Sequence, residues 1–204
     1  MNKYIVIIDT GDGNLFSLKA AVAGLGYIPV VLSSPEETSA EILDDAAGVI
    51  IYARSRYSKT IKLIKQNRWD SYLEFCKQHG KAILAIGIGL HIFYQSSEEA
   101  PGISGLGWLN GKVLAGNFSK IPLSGWTQIN SQFWNDVAVY FTHLYALPKS
   151  DYSIATTRYG DRFSAAIQKD SFTGLQFFPD KSGAIGMEII EQALGINTEE
   201  TVDA

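Results

Sequence analysis

Cysteine is almost missing: Cys76 is the only one in 204 residues, which excludes an intramolecular disulfide. The three histidines are scattered without the spacing a zinc site needs, so neither a structural metal nor a cofactor is expected. Long apolar runs are missing too. Runs such as 4–8 and 82–86 are strand-length, far short of the roughly 20 residues of a spanning helix. Residues 1–3 lead straight into a strand without the apolar segment and cleavage site of a signal peptide, so the cytoplasm is the expected compartment. Nor is there an excess of positive charge: 17 Lys and Arg against 21 Asp and Glu leave a net charge of −4. That balance gives no general attraction for a nucleic-acid backbone or an anionic membrane, and neither is expected as a partner.

What is present is ordinary globular usage, 46% hydrophobic and 19% charged, at a length that suits one core. Residues 1–196 are expected to form a single domain, with the polar, acidic stretch 197–204 as a frayed tail. The apolar β-branched run 4–8 ends in the loop Asp9-Thr10-Gly11-Asp12-Gly13-Asn14, after which Leu15, Leu18, Ala21, Val22 and Leu25 recur at helical spacing. Strands are predicted at 28–32 and 48–51, with a short helix over 36–42 opened by Ser34 and Pro35. The stripe Ile64, Trp69, Tyr72, Leu73, Cys76 predicts one helix over 61–78, stopped by Gly80. Residues 82–86 then form a buried-type strand entering the turn Gly87-Ile88-Gly89 and another helix. This alternation predicts a parallel sheet between helical layers. After Pro101 the runs shorten (112–114, 125–129, 137–141, 153–157, 164–167, 174–178) and read as largely antiparallel additions, closed by a helix over 182–194.

The single motifs are weak. Gly11 and Gly13 after a strand could cradle a phosphate, but the third glycine of the dinucleotide fingerprint is missing and plain turn chemistry is the simpler reading. Asp9 and Asp12 suggest a phosphoacceptor, yet no second aspartate ends the third strand. Cys76 sits on an apolar helical stripe and reads as a small core residue. Arg54, Arg56, Lys59, Lys62, Lys65 and Arg68 read as a solvated helix face, with an anionic ligand or an acidic partner surface as the alternative.

The ordered series is more specific. Ile7-Ile8-Asp9 with Gly11-Asp12-Gly13-Asn14-Leu15 and Ser17 resembles the opening of the glutaminase subunit of imidazole glycerol phosphate synthase, a class I glutamine amidotransferase. Ser96-Ser97-Glu98-Glu99 with Pro101-Gly102 and Gly105-Leu106-Gly107, then Lys120-Ile121-Pro122 with Gly125-Trp126, follow in register. Residues Tyr140-Phe141-Thr142-His143-Leu144-Tyr145, and Gly174-Leu175-Gln176-Phe177 through Pro179-Asp180-Lys181-Ser182, complete the series from Tyr4 to about Leu194. The resemblance implies an α/β three-layer sandwich of flavodoxin-like type, with a mostly parallel central sheet and a smaller antiparallel one. It also implies a cyclase-type (β/α)8 barrel as partner and glutamine as ligand, with Asn14, Trp126 and Lys181 facing the partner. An edge or core aromatic is the equal alternative for Trp126.

The departures fall where the resemblance places the chemistry. The nucleophilic cysteine of the family's elbow corresponds to Gly87, its general base to Phe178, and the glutamate that orients the base to Asp180. The oxyanion-hole loop corresponds to Tyr52-Ala53-Arg54-Ser55, without its glycines. His91 replaces a substrate-holding glutamine, and Leu144 a serine. Glu99, His143 and Tyr145 match the family's substrate pocket. Nucleophile, base and oxyanion hole are thus absent together, and no catalytic residue is expected. Because adjacent side chains on a strand point to opposite faces, Phe177 and Phe178 are expected to enter different cores, one of them plugging the former catalytic cavity. Gly87 is expected to keep the positive φ of an elbow. The expected function is a non-catalytic glutaminase-like subunit that binds or regulates a cyclase-type barrel. The alternatives are an active amidotransferase subunit supplying ammonia for imidazole glycerol phosphate (histidine) synthesis or a related sugar amidation, and a small-ligand sensor built on Arg54, Ser55, His91, Glu99, His143 and Tyr145.

Overall fold

The structure is a computed structural model that describes residues 4–11, 15–118, 120–134 and 137–195. Asn14 of the first loop and the expected tail 197–204 lie outside the described residues. The first half runs β1 (Tyr4–Asp9), α1 (Phe16–Gly24), β2 (Ile28–Leu32), α2 (Ala40–Asp45), β3 (Ala46–Ala53), α3 (Tyr57–Gln66), α4 (Trp69–Gln78), β4 (Ala82–Gly87) and α5 (Ile88–His91). The second half contributes β5 (Tyr94–Ser97), β6 (Leu109–Ala115), β7 (Leu123–Gln128), β8 (Asn130–Ser131), β9 (Ala138–His143), β10 (Tyr145–Ala146), β11 (Ser153–Tyr159), β12 (Asp161–Lys169), β13 (Phe172–Leu175) and α6 (Gly183–Ala193).

Strands β1, β3 and β4 are near-continuous apolar runs because both of their faces are covered, as parallel strands require. One face meets α1 and α6 through Leu18, Val22, Ile189 and Ile190. The other meets α3 and α4 through Ile61, Ile64, Leu73 and Cys76. The eight-stranded sheet has the order β2-β1-β3-β4-β13-β12-β11-β8. From β2 to β13 every pairing is parallel, and β12, β11 and β8 continue the sheet antiparallel. The shorter strands form a three-stranded sheet β10-β6-β5 and an antiparallel ribbon β7-β9. The expected three-layer α/β architecture is therefore present, with its polar turns gathered at the carboxyl ends of β3, β4 and β13, where open α/β sheets bind ligands.

Several local expectations differ. β13 joins the sheet parallel to β4, and β5 pairs parallel with β6, so the second half is not wholly antiparallel. The helix expected over 61–78 is two helices, broken at Arg68 with φ +60°. Asn67 Nδ2 and Trp69 Nε1 both donate to the Ser33 carbonyl, at 2.7 and 2.9 Å. A straight helix would hold those side chains about 200° apart. The helix expected over 36–42 is a 3₁₀ turn, Pro35–Glu37, and then α2, capped by Ser34 and Ser39 respectively. The helix after Gly87 is a single turn. The final strand ends at Leu175, so the alternation rule does not apply to Phe177 and Phe178, and both enter the same core cluster.

Past that strand the chain makes a 3₁₀ turn, Pro179–Lys181, under α6. Gly186 allows it: a Cβ there would lie 1.8 Å from the Pro179 carbonyl oxygen. Gly→Ala inside a helix ordinarily stabilises by about 0.5–1 kcal/mol. Gly186→Ala is expected to reverse that sign and destabilise by at least about 1 kcal/mol, an overpacking cost, measurable by urea unfolding.

Candidate functional site

β4 ends in a turn at Gly87 whose backbone, φ +64° and ψ −126°, is one that side chains rarely adopt. A Cβ on Gly87 would lie 2.8 Å from the Ala53 carbonyl oxygen and 3.0 Å from Cζ of Phe178. The ring of Phe178 thus rests where a side chain at position 87 would begin. Its own backbone is fixed at both ends: its N–H donates to the Tyr140 carbonyl at 2.9 Å, and its carbonyl accepts from Ser182 Oγ at 2.8 Å. Around the ring lie the edge of Tyr52 at 5.5 Å, the Arg54 guanidinium at 5.4 Å and Lys181 Nζ at 5.7 Å. Asp180 faces Tyr52, whose hydroxyl donates to Oδ2 at 3.5 Å, while burial pushes the carboxyl above its ordinary range.

Beside this plug is a cavity of about 290 Å³, lined among others by Arg54, Ser55, Gly87, His91, Glu99, His143, Tyr145, Gln176 and Phe178. Gln176 organises its wall. Its Oε1 accepts from the Leu147 N–H at 3.2 Å, and its Nε2 lies 2.9 Å from the Tyr145 carbonyl and 3.1 Å from His91 Nε2. An amide nitrogen has two hydrogens. With one on Tyr145, the other goes to His91, so Nε2 of His91 is the acceptor and Nδ1 carries the proton. That N–H is buried with no partner among the described residues. Burial holds the His91 pKa at about 4, so the ring is a neutral donor. His143 lies among Phe118, Phe141 and Phe163, with ring centroids 5.4 to 5.5 Å away, and both its nitrogens lack a partner among the described residues. Burial, assisted by His91, depresses its pKa to about 3. Glu99 accepts the Tyr57 N–H at 3.0 Å through Oε1, its Oε2 has no partner among the described residues, and its pKa is raised chiefly by burial. The cavity therefore presents neutral imidazoles and a carboxyl, with a guanidinium at its edge.

On the neighbouring ribbon, Trp126 of β7 is 59% exposed and stands opposite Tyr140 of β9, its ring 6.4 Å away. Lys181 Nζ lies 5.9 Å from the same Tyr140 ring. Two residues distant in sequence thus share one surface, and Trp126 is an exposed edge aromatic. Ile121, just before β7, and Leu144, just after β9, are exposed as well, and Leu144 also lines the cavity.

The chain is 35% identical over 204 residues to the imidazole glycerol phosphate synthase subunit HisH of Buchnera aphidicola, covering 95% of this chain and all of that one. This chain belongs to the HisH family. The Staphylococcus aureus HisH subunit is 34% identical, with 93% of this chain and 96% of that one covered. Among solved structures, a glutamine amidotransferase superposes with a TM-score of 0.75 at 14% identity, over 94% of this chain and 99% of that one. PurLQS from Thermotoga maritima gives 0.68 at 16%, over 95% and 98%, and these two likenesses speak to the fold alone. No protein-family model matches the chain.

Within this HisH-family chain, two of the positions that the sequence resemblance assigned to the triad, Gly87 and Phe178, line the same cavity as the six ligand-pocket candidates, while the third, Asp180, lies behind the ring against Tyr52. Arg54, Ser55, His91, Glu99, His143 and Tyr145 all line one cavity. Cys76 is remote from it, fully buried in the opposite core, with its thiol pushed up to about 11 by burial. Tyr52 and Gln176 appear in the sequence only as members of matched segments, with no role of their own. Tyr52 stands in the strand leading into Arg54, and Gln176 follows β13 directly; a buried polar side chain beside Phe177 was the available signal.

Gly87→Cys and Phe178→Ala are expected to be coupled. Each alone costs stability, the first through strain and collision, the second by about 3–5 kcal/mol for a vacated core aromatic. Together they should fall short of additivity by about 1 kcal/mol or more, read from a double-mutant cycle in urea. The histidines give a pH signature as well. With folded pKa values below the unfolded value of about 6.5, the unfolded chain binds more protons, so stability falls as pH drops from about 6.5 toward about 4. Glu99 and Asp180, raised in the fold, oppose this at the acid end. His143→Phe should flatten the fall, stabilising the protein more at pH 5 than at pH 8 in thermal melts.

Proposed function

We propose that this HisH-family chain is a non-hydrolysing glutaminase-like subunit, one that binds a cyclase-type (β/α)8 barrel without releasing ammonia from glutamine by the thioester route. The observation that carries this reading is the packing of Phe178 against Gly87. Thioester formation needs a nucleophile beside a base, and at the elbow there is a hydrogen atom beneath a phenyl ring. The groups nearby do not restore the pair. His91 and His143 are held neutral and face a position 87 that carries no side chain to activate, and Cys76 is protonated and in another core. Asp180, which the resemblance casts as the group that orients the base, is turned to Tyr52.

The partner reading rests on the ribbon. Trp126, Tyr140 and Lys181 form a contiguous surface set in which Trp126 is exposed and the other two are half-buried, and an aromatic with a cation is the composition of an interface anchor. Glutamine, or another small polar ligand, remains the candidate occupant of the cavity.

A second reading, an active subunit supplying ammonia to a cyclase, is favoured by the relatives themselves, which carry the name of a synthase subunit across nearly their whole length at 33–35% identity. Ammonia release from glutamine, measured with the chain alone and with the cyclase barrel of the same genome, separates the two. The expected result is no release in either setting, together with co-purification of the barrel that Trp126→Ala weakens at least about tenfold. Partner-dependent release would establish the second reading and direct the search for a nucleophile to Ser55. Failure of the barrel to bind would sink the partner half of the proposal.

A further inference from the structure

The charges of this chain are not evenly mixed. Residues 36–45 carry Glu36, Glu37, Glu41, Asp44 and Asp45 with no Lys or Arg, and the following 46–69 carry Arg54, Arg56, Lys59, Lys62, Lys65 and Arg68 with no Asp or Glu. All eleven are exposed. The fold keeps the acidic block and the α3 cations on one side of the molecule: α2, α3 and α4 send Leu43, Ile61, Ile64 and Leu73 into the same core beneath the sheet, so their outer faces look the same way. Arg54 stands apart, over Phe178 at the cavity edge, and Lys81 reaches the Asp44 and Ala46 carbonyls at the end of the acidic block. The buried stripe of α3, Tyr57, Thr60, Ile61 and Ile64, leaves Lys59 and Lys62 on the opposite side. The blocks meet at Ser33. Its carbonyl accepts from Asn67 and Trp69 at the end of the basic block, and its N–H donates to Glu37 Oε2 of the acidic block at 2.7 Å.

Adjacent patches of opposite sign on one face are self-complementary under a two-fold rotation: turned about the boundary, each patch meets the other sign. We infer that the α2–α3 face is a salt-dependent docking surface for a second copy of this chain, with the basic stripe of each copy over the acidic block of the other. The cations lie at i, i+3 along α3, where like charges repel, and a facing acidic block removes that repulsion on both sides at once. The Trp126–Tyr140–Lys181 ribbon takes no part, so this surface is separate from the one proposed for the barrel.

Sedimentation velocity at about 50 mM and about 500 mM salt tests it, since screening shortens from about 14 Å to about 4 Å over that range. The native chain should dimerise at low salt, with a dissociation constant that rises at least about tenfold at high salt. Lys62→Glu/Lys65→Glu and Glu41→Lys/Asp45→Lys should each be monomeric and keep the native melting temperature within a few degrees, since all four positions are exposed. Mixed one to one, the two variants should form a heterodimer at low salt. A native chain that stays monomeric at low salt overturns the inference, as does a dimer that survives both reversals or a pair of folded variants that fail to associate when mixed.

Discussion

The centre of this structure is a contact with almost no room in it: Gly87 held at positive φ between the Ala53 carbonyl and the ring of Phe178. Much else depends on that approach. β3 and β4 run in register up to Ala53 and Gly87, so the strand pair and the turn are one unit. The ring is held in place from the far side by the Tyr140 carbonyl and Ser182. Through Tyr140 the same contact reaches the ribbon that carries Trp126, and through Pro179 it reaches α6. The elbow, the plug and the exposed ribbon are therefore mechanically continuous.

The sheet was legible because its strands obey a simple rule. Residues 4–8, 48–51 and 82–86 are apolar on both faces, and only a strand covered on both sides tolerates that. The pocket set was legible too, but from the ordered resemblance rather than from any one residue; nothing local says that Glu99 and His143 face one cavity. What escaped were features decided by tertiary hydrogen bonds. The break at Arg68 answers to a carbonyl at Ser33, more than thirty residues away in sequence. Phe177 and Phe178 share a core because the strand stops at Leu175, a boundary that the apolar run 174–178 conceals. The use of Gln176 depends on three separate segments arriving at one amide.

Electrostatically the cavity differs from its rim. Inside, burial keeps His91 and His143 uncharged and pushes Glu99 toward its neutral form. At the edge stand Arg54 and Lys181, both over the Phe178 ring. A low-dielectric interior with a cationic lip suits recognition of a small polar molecule through directed hydrogen bonds rather than through net charge. Gln176 strengthens that character, since both of its N–H groups and its carbonyl oxygen are engaged in holding α5, β10 and the segment at Leu147 together. The walls are set before any ligand arrives.

Considered as a mutational landscape, the contact between positions 87 and 178 acts as a ratchet. A chain that acquired a side chain at 87 first would drive it into the phenyl ring and into a backbone angle that only glycine holds without strain. A chain that gave up the ring first would open a void in a core that Tyr52, Phe141 and Phe177 now close. Either order of steps passes through a less stable protein before anything is gained, so the present pairing is easier to drift around than to leave. At this elbow no single change can place a side chain at 87 without a loss of stability.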